Sequence, residues 1–491
     1  MRQLTSIDAQ FLAIEDGRTH GHVTAVGICD PSTAPGGQLT HGAVRDLVAA
    51  RLHLVPPFRW RLVEVPFGRD HPYWQDEPDL DFEFHIRELA LPAPGDARML
   101  AEQVARIAAR PLDRARPLWE LYLIHGVDGD RVAVLTKVHH AAIDGLSGAE
   151  ILSVLLDPSP EGRSLPAPTA TPVVRNKPGQ LEMLARGLAG IPQQRVRSLR
   201  GLARALPHLD ETPTMRTLPG ISTVSALSRR GSRRALHAPR TSLNVPIGPH
   251  RRVAFTQQSL DEVKQIKNHF AVTVNDVVVA VCAGALRTWL QDRGELPDRP
   301  LLAMIPVSLR TEAQRGTYGN RITTMLTPVP TDVGDPAERL AATHEALRSA
   351  KDRHGAVPAT VLQDTNDVIP PAVFARGARV TSRVAARLPG QAPINVVISN
   401  VPGSPEPLYL AGARLEAIYP VSAIAHGVGL NITVMGHAGE LNYGVVADRD
   451  AVGDALPLAT AIDQAHAELV ALTRGTSPRS GRRTSPRSPV A

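Results

Sequence analysis

The chain has 491 residues, with 54 Lys and Arg side chains against 48 Asp and Glu, and 43% of its residues are hydrophobic. This length suits one large or two ordinary domains with a substantial buried core, and it excludes a small domain held together by disulfides. Cys29 and Cys282 are few and isolated, so we expect two reduced core thiols rather than a disulfide or a thiolate metal site.

Positive charge is concentrated in two stretches of the chain. Residues 171–240 contain 13 Lys and Arg against three acids, and residues 474–491 contain five Arg and no acid. The remaining residues are therefore acidic overall, which argues against a nucleic-acid-binding core. The two basic stretches favour an anionic partner surface, such as the face of a membrane.

No segment of the sequence resembles a signal peptide or a membrane span. The longest uncharged stretch, residues 417–439, contains Pro420, two His and four Gly, which suits buried strands joined by turns. We therefore expect a cytoplasmic protein with at most peripheral contact to the inner face of the cell membrane or to lipid bodies.

Strand-like and helix-like patterns alternate in two separate parts of the chain. The first part has strands predicted at 23–29 and 131–138 and a helix at 99–109. The second part has predicted helices at 261–270, 275–289 and 458–472 and strands at 301–305 and 395–398. The fold class is thus mixed α/β, with two domains of similar composition.

The domain boundaries follow from composition. We predict an N-terminal domain at 1–157, a linker rich in Pro and Arg at 158–246, a C-terminal domain at 247–473 and a disordered basic tail at 474–491. Within the linker, Leu residues between 181 and 206 could form the apolar side of an amphipathic helix, interrupted at Pro192. Such a helix could lie on anionic lipid or pack on the domains, and both interpretations stay open.

The segment from Lys137 to Gly148, Lys-Val-His-His-Ala-Ala-Ile-Asp-Gly-Leu-Ser-Gly, contains the residues best suited to chemistry. A metal site is not expected, because adjacent residues on a strand point to opposite faces and no third His or Cys is placed nearby. A serine hydrolase is not expected either, because Gly148 follows Ser147 directly and breaks the Gly-x-Ser-x-Gly spacing.

Two interpretations of the histidine pair remain. In the structural one, His139 and His140 belong to a polar turn at a strand end. In the catalytic one, one imidazole is a general base, since a neutral imidazole can take a proton from an alcohol that attacks a carbonyl. Asp144 would then orient the turn, and Gly145 would let the backbone bend and leave room for substrate.

The run His139-His140-Ala-Ala-Ile-Asp144-Gly145 resembles the HHxxxDG signature of the CoA-dependent acyltransferase superfamily. Four further segments resemble motifs of one group in it, the bacterial wax ester synthase/diacylglycerol acyltransferases. These segments are Leu4-Thr-Ser-Ile-Asp-Ala-Gln-Phe-Leu12, Arg116-Pro-Leu-Trp-Glu120, Val274-Asn-Asp-Val277 and Asn395-Val-Val-Ile-Ser-Asn-Val-Pro-Gly403.

The resemblance implies a fold of two similar chloramphenicol-acetyltransferase-like subdomains with the active site at their interface. His140 matches the general base, His139 its neighbour, and Asp144 and Gly145 the structural end of the motif. Trp119 would brace or line the acyl channel, with bracing favoured over direct contact.

The resemblance also places residues of the second subdomain near the site. Asn275, which we expect to cap its helix, and Asp276 would help polarise the thioester oxygen. Ser399 and Asn400 would serve the site from a turn, although a turn of Ser, Asn, Pro and Gly needs no function to explain it.

The implied function is transfer of a long-chain acyl group from acyl-CoA to diacylglycerol, to a fatty alcohol, or to both, without a covalent enzyme intermediate. Acyl-CoA would be a substrate, and no cofactor is expected. Two alternatives stay open: a condensation-type or polyketide-ester acyltransferase with a carrier-bound donor, and a non-catalytic lipid-body protein.

Overall fold

The computed structural model describes residues 1–66, 70–143, 154–165, 238–308, 322–355 and 394–475, together with the single positions 179, 182, 236 and 392. Most of the predicted linker and nearly all of the basic tail lie outside the described residues. The predicted amphipathic helix between residues 181 and 206 lies outside them as well, apart from position 182.

The N-terminal half of the described chain contains short helices and seven strands. The helices are α1 (Ser6–Ala13), α2 (His41–Arg51), α3 (Phe82–His85) and α4 (Ala97–Ala108). The strands are β1 (Arg2–Gln3), β2 (His22–Asp30), β3 (Trp60–Val63), β4 (Tyr73–Asp76), β5 (Ile86–Ala90), β6 (Trp119–Val127) and β7 (Arg131–His139). Single 3-10 turns lie at Pro31–Thr33, Pro35–Gly37, Leu52–Leu54 and Pro56–Arg59.

The C-terminal half has longer helices. These are α5 (Leu260–Phe270), α6 (Val274–Asp292), α7 (Pro336–Gly355), α8 (Arg449–Val452) and α9 (Leu456–Gly475). Its strands are β8 (Arg251–Ser259), β9 (Leu301–Ser308), β10 (Ile322–Val329), β11 (Val396–Val401), β12 (Leu408–Leu410), β13 (Ala413–Val421), β14 (Leu430–His437) and β15 (Glu440–Asp448).

These elements form two six-stranded mixed sheets, which confirms the predicted fold class. One sheet has the order β12-β13-β2-β7-β6-β5, and the other has the order β10-β9-β11-β14-β15-β8. A small third sheet, β1-β4-β3, lies in the N-terminal half. In the C-terminal half, α6 contributes a run of fully buried Val and Ala side chains to the hydrophobic core. This burial explains why the sequence of α6 is apolar on nearly every side of the helix.

Strands predicted from β-branched runs and helices predicted from apolar spacing all form. The helix predicted at 99–109 is α4, and those predicted at 261–270, 275–289 and 458–472 are α5, α6 and α9. The uncharged stretch 417–439 contains the end of β13 and all of β14, joined by a loop, as expected. Cys29 and Cys282 are buried free thiols, and burial raises the pKa of each to about 12.

The predicted range 247–473 does not stay within one sheet. Strands β12 and β13 leave the C-terminal half and complete the N-terminal sheet, where β13 pairs antiparallel with β2 from Asp30↔Arg414 to Thr24↔Val421. Sequence patterns identify strands but not their partners, because a strand's hydrogen bonds are satisfied equally by either sheet. One segment of the predicted C-terminal domain, β12 with β13, therefore pairs within the N-terminal sheet.

The two halves share a hydrophobic cluster between the sheets. It combines α4 side chains such as Leu100 and Val104 with Val253 on β8 and Val446 on β15. Two polar contacts cross the same boundary: the His426 ring Nε2 donates to Asp16 Oδ2 at 2.8 Å, and Arg251 donates to the carbonyl oxygen of Arg18. The halves are therefore joined by strands β12 and β13, by apolar packing and by polar contacts.

Within the described ranges, no single helix has the length and apolar character needed to cross a bilayer. The pair α5 and α6 meets those criteria only when taken together, and the two helices are bent by 101° relative to each other.

The crossing of β13 over β15 is tight enough to require glycine. A Cβ atom on Gly444 would lie 1.6 Å from the carbonyl oxygen of Pro420. We predict that Gly444→Ala lowers the free energy of unfolding by about 1–3 kcal/mol or more, because backbone atoms on both strands must move. Urea denaturation of the purified variant measures this cost.

Gly42→Ala is the matched control, since Gly42 lies in α2 with open space around its Cβ position. Alanine there should stabilise the protein slightly, by about 0.5 kcal/mol. Equal stability of the two variants would show that the sheets are not in close contact at this point.

Candidate active site

The backbone places the two histidines in a turn at the end of β7. The Leu118 carbonyl accepts from the His139 N–H at 2.9 Å, and the Gly21 carbonyl accepts from the His140 N–H at 2.8 Å. The turn is closed when the Ala142 N–H donates to the His139 carbonyl at 2.9 Å. These hydrogen bonds to the ends of neighbouring strands thus fix the backbone positions of both histidines.

The His139 ring is buried and has partners at both nitrogens. Nδ1 accepts from the Ala141 N–H at 3.0 Å, and Nε2 lies 3.2 Å from Glu15 Oε1. Because Nδ1 accepts, the proton of the neutral ring is on Nε2 and is donated to the carboxylate. Gly21 makes room for this ring, since a Cβ there would lie 2.7 Å from Nε2. Both nitrogens are occupied, so His139 is not a free base.

Glu15, at the end of the segment that contains α1, is the acid of this site. Its Oε1 also accepts from the Gly21 N–H at 2.8 Å, and its Oε2 accepts from Arg114 at 2.7 Å. Burial alone would raise the pKa of this carboxyl, but the hydrogen bonds from His139, Gly21 and Arg114 outweigh it and hold the pKa well below the usual range. Glu15 is therefore a fixed negative charge.

His140 lies in a different environment from its neighbour. Its ring stacks on Phe11 of α1, with centroids 4.6 Å apart and an interplanar angle of 15°. Burial lowers the pKa of His140 to about 4. No hydrogen bond of its ring nitrogens is made within the part of the chain that the structure describes. Among the described residues, His140 is thus a neutral imidazole whose ring nitrogens are uncommitted.

Three side chains contact the C-terminal end of α4: His22 on β2, Lys137 on β7 and His20, which precedes β2. His22 Nε2 lies 2.8 Å from the Ala108 carbonyl, and His20 Nε2 lies 3.0 Å from the Ala109 carbonyl. Lys137 Nζ donates to the Arg110 carbonyl at 2.6 Å, and burial lowers its pKa to about 8. These groups satisfy carbonyls that the helix leaves unpaired.

One group of described residues has the composition of a metal site, since ligand atoms of Glu15, His20 and His22 lie within 4.8 Å of one another. The donors do not fit a cation well. The glutamate already accepts three hydrogen bonds, and each histidine donates through Nε2 to the end of α4. Burial and then the positive charge of Arg251 lower the pKa of His20, and burial and then Lys137 lower that of His22. A divalent ion would be repelled by the same two cations.

The C-terminal candidates lie at the start of α6, which contains Asn275 and Asp276, and on β11 of the other sheet, which contains Ser399 and Asn400. Asn400 Nδ2 donates to Asn275 Oδ1 at 3.5 Å, so the structure brings these two residues together, with Ser399 preceding Asn400 on β11. Within the described residues no hydrogen bond joins this group to the histidine turn. The expectation that Asn275 caps its helix is wrong. Thr273 is the cap, because its hydroxyl is free to accept the N–H of Asp276 three residues on.

Asp276 has structural partners. Its carboxylate accepts from the Thr273 N–H at 2.8 Å and from His344 Nδ1 at 2.8 Å, and the residue is buried. This reciprocal bonding with Thr273 is a capping box, which stabilises the start of α6. Asp276 is therefore a helix-capping residue next to Asn275, and its predicted role in the site stays a prediction.

Trp119 is enclosed in the N-terminal core. It is 1% exposed, its ring stacks between Phe58 and His85 at 4.3 and 4.4 Å, and its indole N–H donates to the Phe58 carbonyl at 2.8 Å. This placement fits bracing of the sheet and not direct substrate contact.

Asp144 and Gly145 lie outside the described residues. Sequence reasoning did not identify Glu15 and Arg114 as site residues, because neither belongs to the histidine motif and nothing in their local pattern marks them. The one available signal was that Glu15 follows directly after a segment that resembles a family motif.

The fold defines the class of protein. The overall fold is similar to that of the first condensation domain of the calcium-dependent antibiotic synthetase, with a TM-score of 0.54, 17% identity and 97% coverage of each chain. This likeness shows a two-lobed fold of the chloramphenicol-acetyltransferase type.

The sequence narrows the class to a family. Residues 4–278 match the wax ester synthase/diacylglycerol acyltransferase catalytic domain, and residues 318–470 match the WS/DGAT C-terminal domain. The chain belongs to the wax ester synthase/diacylglycerol acyltransferase family and is an acyltransferase of that type.

Individual relatives cover nearly the whole chain. A protein of Mycobacterium tuberculosis strain H37Rv, named provisionally as a diacylglycerol O-acyltransferase, is 37% identical over 472 residues, which is 96% of this chain and 90% of the relative. The solved wax ester synthase/diacylglycerol acyltransferase of Marinobacter aquaeolei VT8 has a TM-score of 0.68 at 28% identity, with 96% of this chain and 100% of that chain covered.

Trp119→Phe tests bracing against substrate contact. The substitution keeps an aromatic ring but leaves the buried Phe58 carbonyl without its donor, so we predict a loss of about 1–3 kcal/mol in the free energy of unfolding. Turnover and the KM for acyl-CoA should stay within about twofold of wild type. A raised KM with unchanged stability would instead place Trp119 in the acyl channel.

Proposed function

We propose that this protein transfers a long-chain acyl group from acyl-CoA to the hydroxyl of diacylglycerol, of a fatty alcohol, or of both, with His140 as general base. The observation that carries the proposal is the contrast between the two imidazoles. The hydrogen bonds of His139 are both committed, whereas His140 is neutral and makes none within the described residues.

A neutral imidazole is the form that the reaction needs. A general base must be unprotonated before it can accept the hydroxyl proton of the acceptor, and a pKa of about 4 keeps His140 unprotonated at neutral pH. A base with so low a pKa is intrinsically weak in water. Its basicity rises in the transition state if the forming imidazolium is stabilised by the nearby anionic Glu15 through His139.

The reaction proceeds by direct transfer. The acceptor hydroxyl gives its proton to His140 as its oxygen attacks the thioester carbonyl, which produces a tetrahedral oxyanion. Collapse of this intermediate breaks the carbon–sulfur bond and expels the CoA thiolate, and the imidazolium returns its proton to that sulfur. Bonds, charges and the proton balance without an acyl-enzyme and without a cofactor.

Asn275 on α6 and Asn400 on β11 are the proposed polar groups of the C-terminal half. Their side chains are adjacent, both are half-buried, and an amide N–H can donate to a developing oxyanion. Ser399 lies on the same strand and is the third polar group of this set.

Water-insoluble acceptors also favour peripheral contact with a membrane or lipid body. The basic character of residues 171–240 and 474–491 supports attraction to anionic lipid. Nearly all of both stretches lies outside the described residues, so this location is a proposal from charge and substrate chemistry.

His140→Ala is the direct test of the base. We predict that transfer from palmitoyl-CoA to dioleoylglycerol or hexadecanol falls by two or more orders of magnitude, because removing a positioned base costs about 10²–10⁴ in rate. Product formation is followed by mass spectrometry of the neutral lipids and by release of the CoA thiol.

His125→Ala is the control, since His125 is a surface histidine paired with Glu88 on the same sheet. It should keep wild-type transfer, and circular dichroism should show both variants folded. Near-normal transfer by His140→Ala refutes the proposed base, and a wild-type protein that accepts only a carrier-bound acyl group supports the condensation-type alternative.

A further inference from the structure

The segment after α1 places two consecutive acids, Glu15 and Asp16, against two buried histidines. Asp16 accepts from His426 Nε2 at 2.8 Å, and His426 Nδ1 accepts from the Ile247 N–H at 3.1 Å. Glu15 and His139 repeat this arrangement, with a carboxylate at Nε2 and a backbone N–H at Nδ1. The same pairing of a carboxylate with a buried histidine therefore occurs at the histidine turn and at the boundary between the halves.

The hydrogen bonds of Glu15 connect the His139 ring to other parts of the site. Its Oε1 accepts from both the Gly21 N–H and the ring of His139, and the Gly21 carbonyl in turn accepts from the N–H of His140. Arg114 holds the opposite oxygen and also donates to the Leu12 carbonyl at 2.7 Å, which ties the acid to the end of α1. One carboxylate thus connects α1, the start of β2 and the turn after β7.

The tautomer of His139 depends on this carboxylate. With an anionic acceptor at Nε2, the ring keeps its proton there and leaves Nδ1 free to accept the Ala141 N–H. If the proton moved to Nδ1, it would face the Ala141 N–H, and the turn that holds His140 would lose that hydrogen bond. Phe11, on which the His140 ring stacks, belongs to the same α1 segment.

We propose that Glu15 is a positioning residue for the reaction: it fixes the Nε2–H tautomer of His139 and thereby holds the His140 turn in its reactive geometry. This inference rests on the proposed function of His140. It assigns to Glu15, outside the histidine motif, the orienting role that an acid plays beside a catalytic imidazole.

Glu15→Gln is the first variant. An amide offers an acceptor on one side only, so it cannot serve Gly21 and His139 while also accepting from Arg114. We expect kcat to fall about 10–100-fold, with the KM for acyl-CoA within about threefold of wild type. Glu88→Gln is the matched control at an exposed Glu–His pair on the same sheet, and its kcat should be unchanged.

A double-mutant cycle shows whether Glu15 acts through His139. His139→Asn keeps an acceptor near the position of Nδ1 for the Ala141 N–H but loses the contact to Glu15, which retains Gly21 and Arg114. We expect His139→Asn alone to lower kcat by a factor similar to that of Glu15→Gln, and the double variant to be within about twofold of either single variant. Multiplicative losses, or wild-type kcat in His139→Asn, would overturn the proposal.

Nitrogen-15 NMR of labelled histidines gives a readout that needs no substrate. Wild-type His139 should show one protonated nitrogen, Nε2, and Glu15→Gln should show a mixture of tautomers. Asp16→Asn is the buried control, because it breaks an equivalent pair one residue away, and the His139 signals should not change.

The spectra distinguish a failure of the positioning role of Glu15 from a failure of the proposed function. Unchanged His139 signals in folded Glu15→Gln overturn the positioning role whatever the enzyme does. A fixed tautomer that depends on Glu15, in a protein that performs no acyl transfer, retains the tautomer assignment and refutes the proposed function instead. If Glu15→Gln does not fold, the kcat of His139→Asn decides the question.

Discussion

The proposed chemistry depends on one half-buried imidazole, His140, whose ring has no acidic partner among the described residues. Packing His140 against Phe11 removes water from the imidazole, so the ring stays neutral in the folded protein. In the unfolded chain the same ring has a pKa of about 6.5. Below that pH the unfolded state binds a proton that the folded state refuses until about pH 4, so this burial lowers stability as pH falls through that window.

The residues beside His140 are held in place by hydrogen bonds. His139, one residue earlier, is held at both nitrogens, and Glu15 is held by three donors. A residue committed to structure and a residue left for chemistry are therefore adjacent in the turn that follows β7.

The two lobes are connected by more than surface contact. Strands β12 and β13 complete the N-terminal sheet, Pro420 on β13 touches Gly444 on β15, and the pair Asp16–His426 bridges the halves. Such connections limit the relative motion of the lobes, which suits a reaction whose donor and acceptor must meet in one orientation.

Local patterns in the sequence were enough for the secondary structure and the histidine motif. The spacing of α4 and the β-branched run of β7 correctly predicted those elements, because they reflect side chains that face one core. The partner of β13 and the position of Glu15 beside His139 could not be predicted. Each depends on contacts between residues distant in the chain, for which a single sequence has no periodic signal. The cap at Thr273 is a local feature, because Thr273 and Asp276 are three residues apart, and the Thr-x-x-Asp spacing could have indicated it.

The most direct measurement is an NMR titration of the His140 ring in the folded wild-type protein, with its signals assigned by comparison with His140→Gln. The account predicts that the ring stays neutral from pH 8 down to about pH 5, with a midpoint near 4. A midpoint at or above the ordinary value of about 6.5 would contradict it, because His140 would then be neither desolvated nor kept neutral by its surroundings.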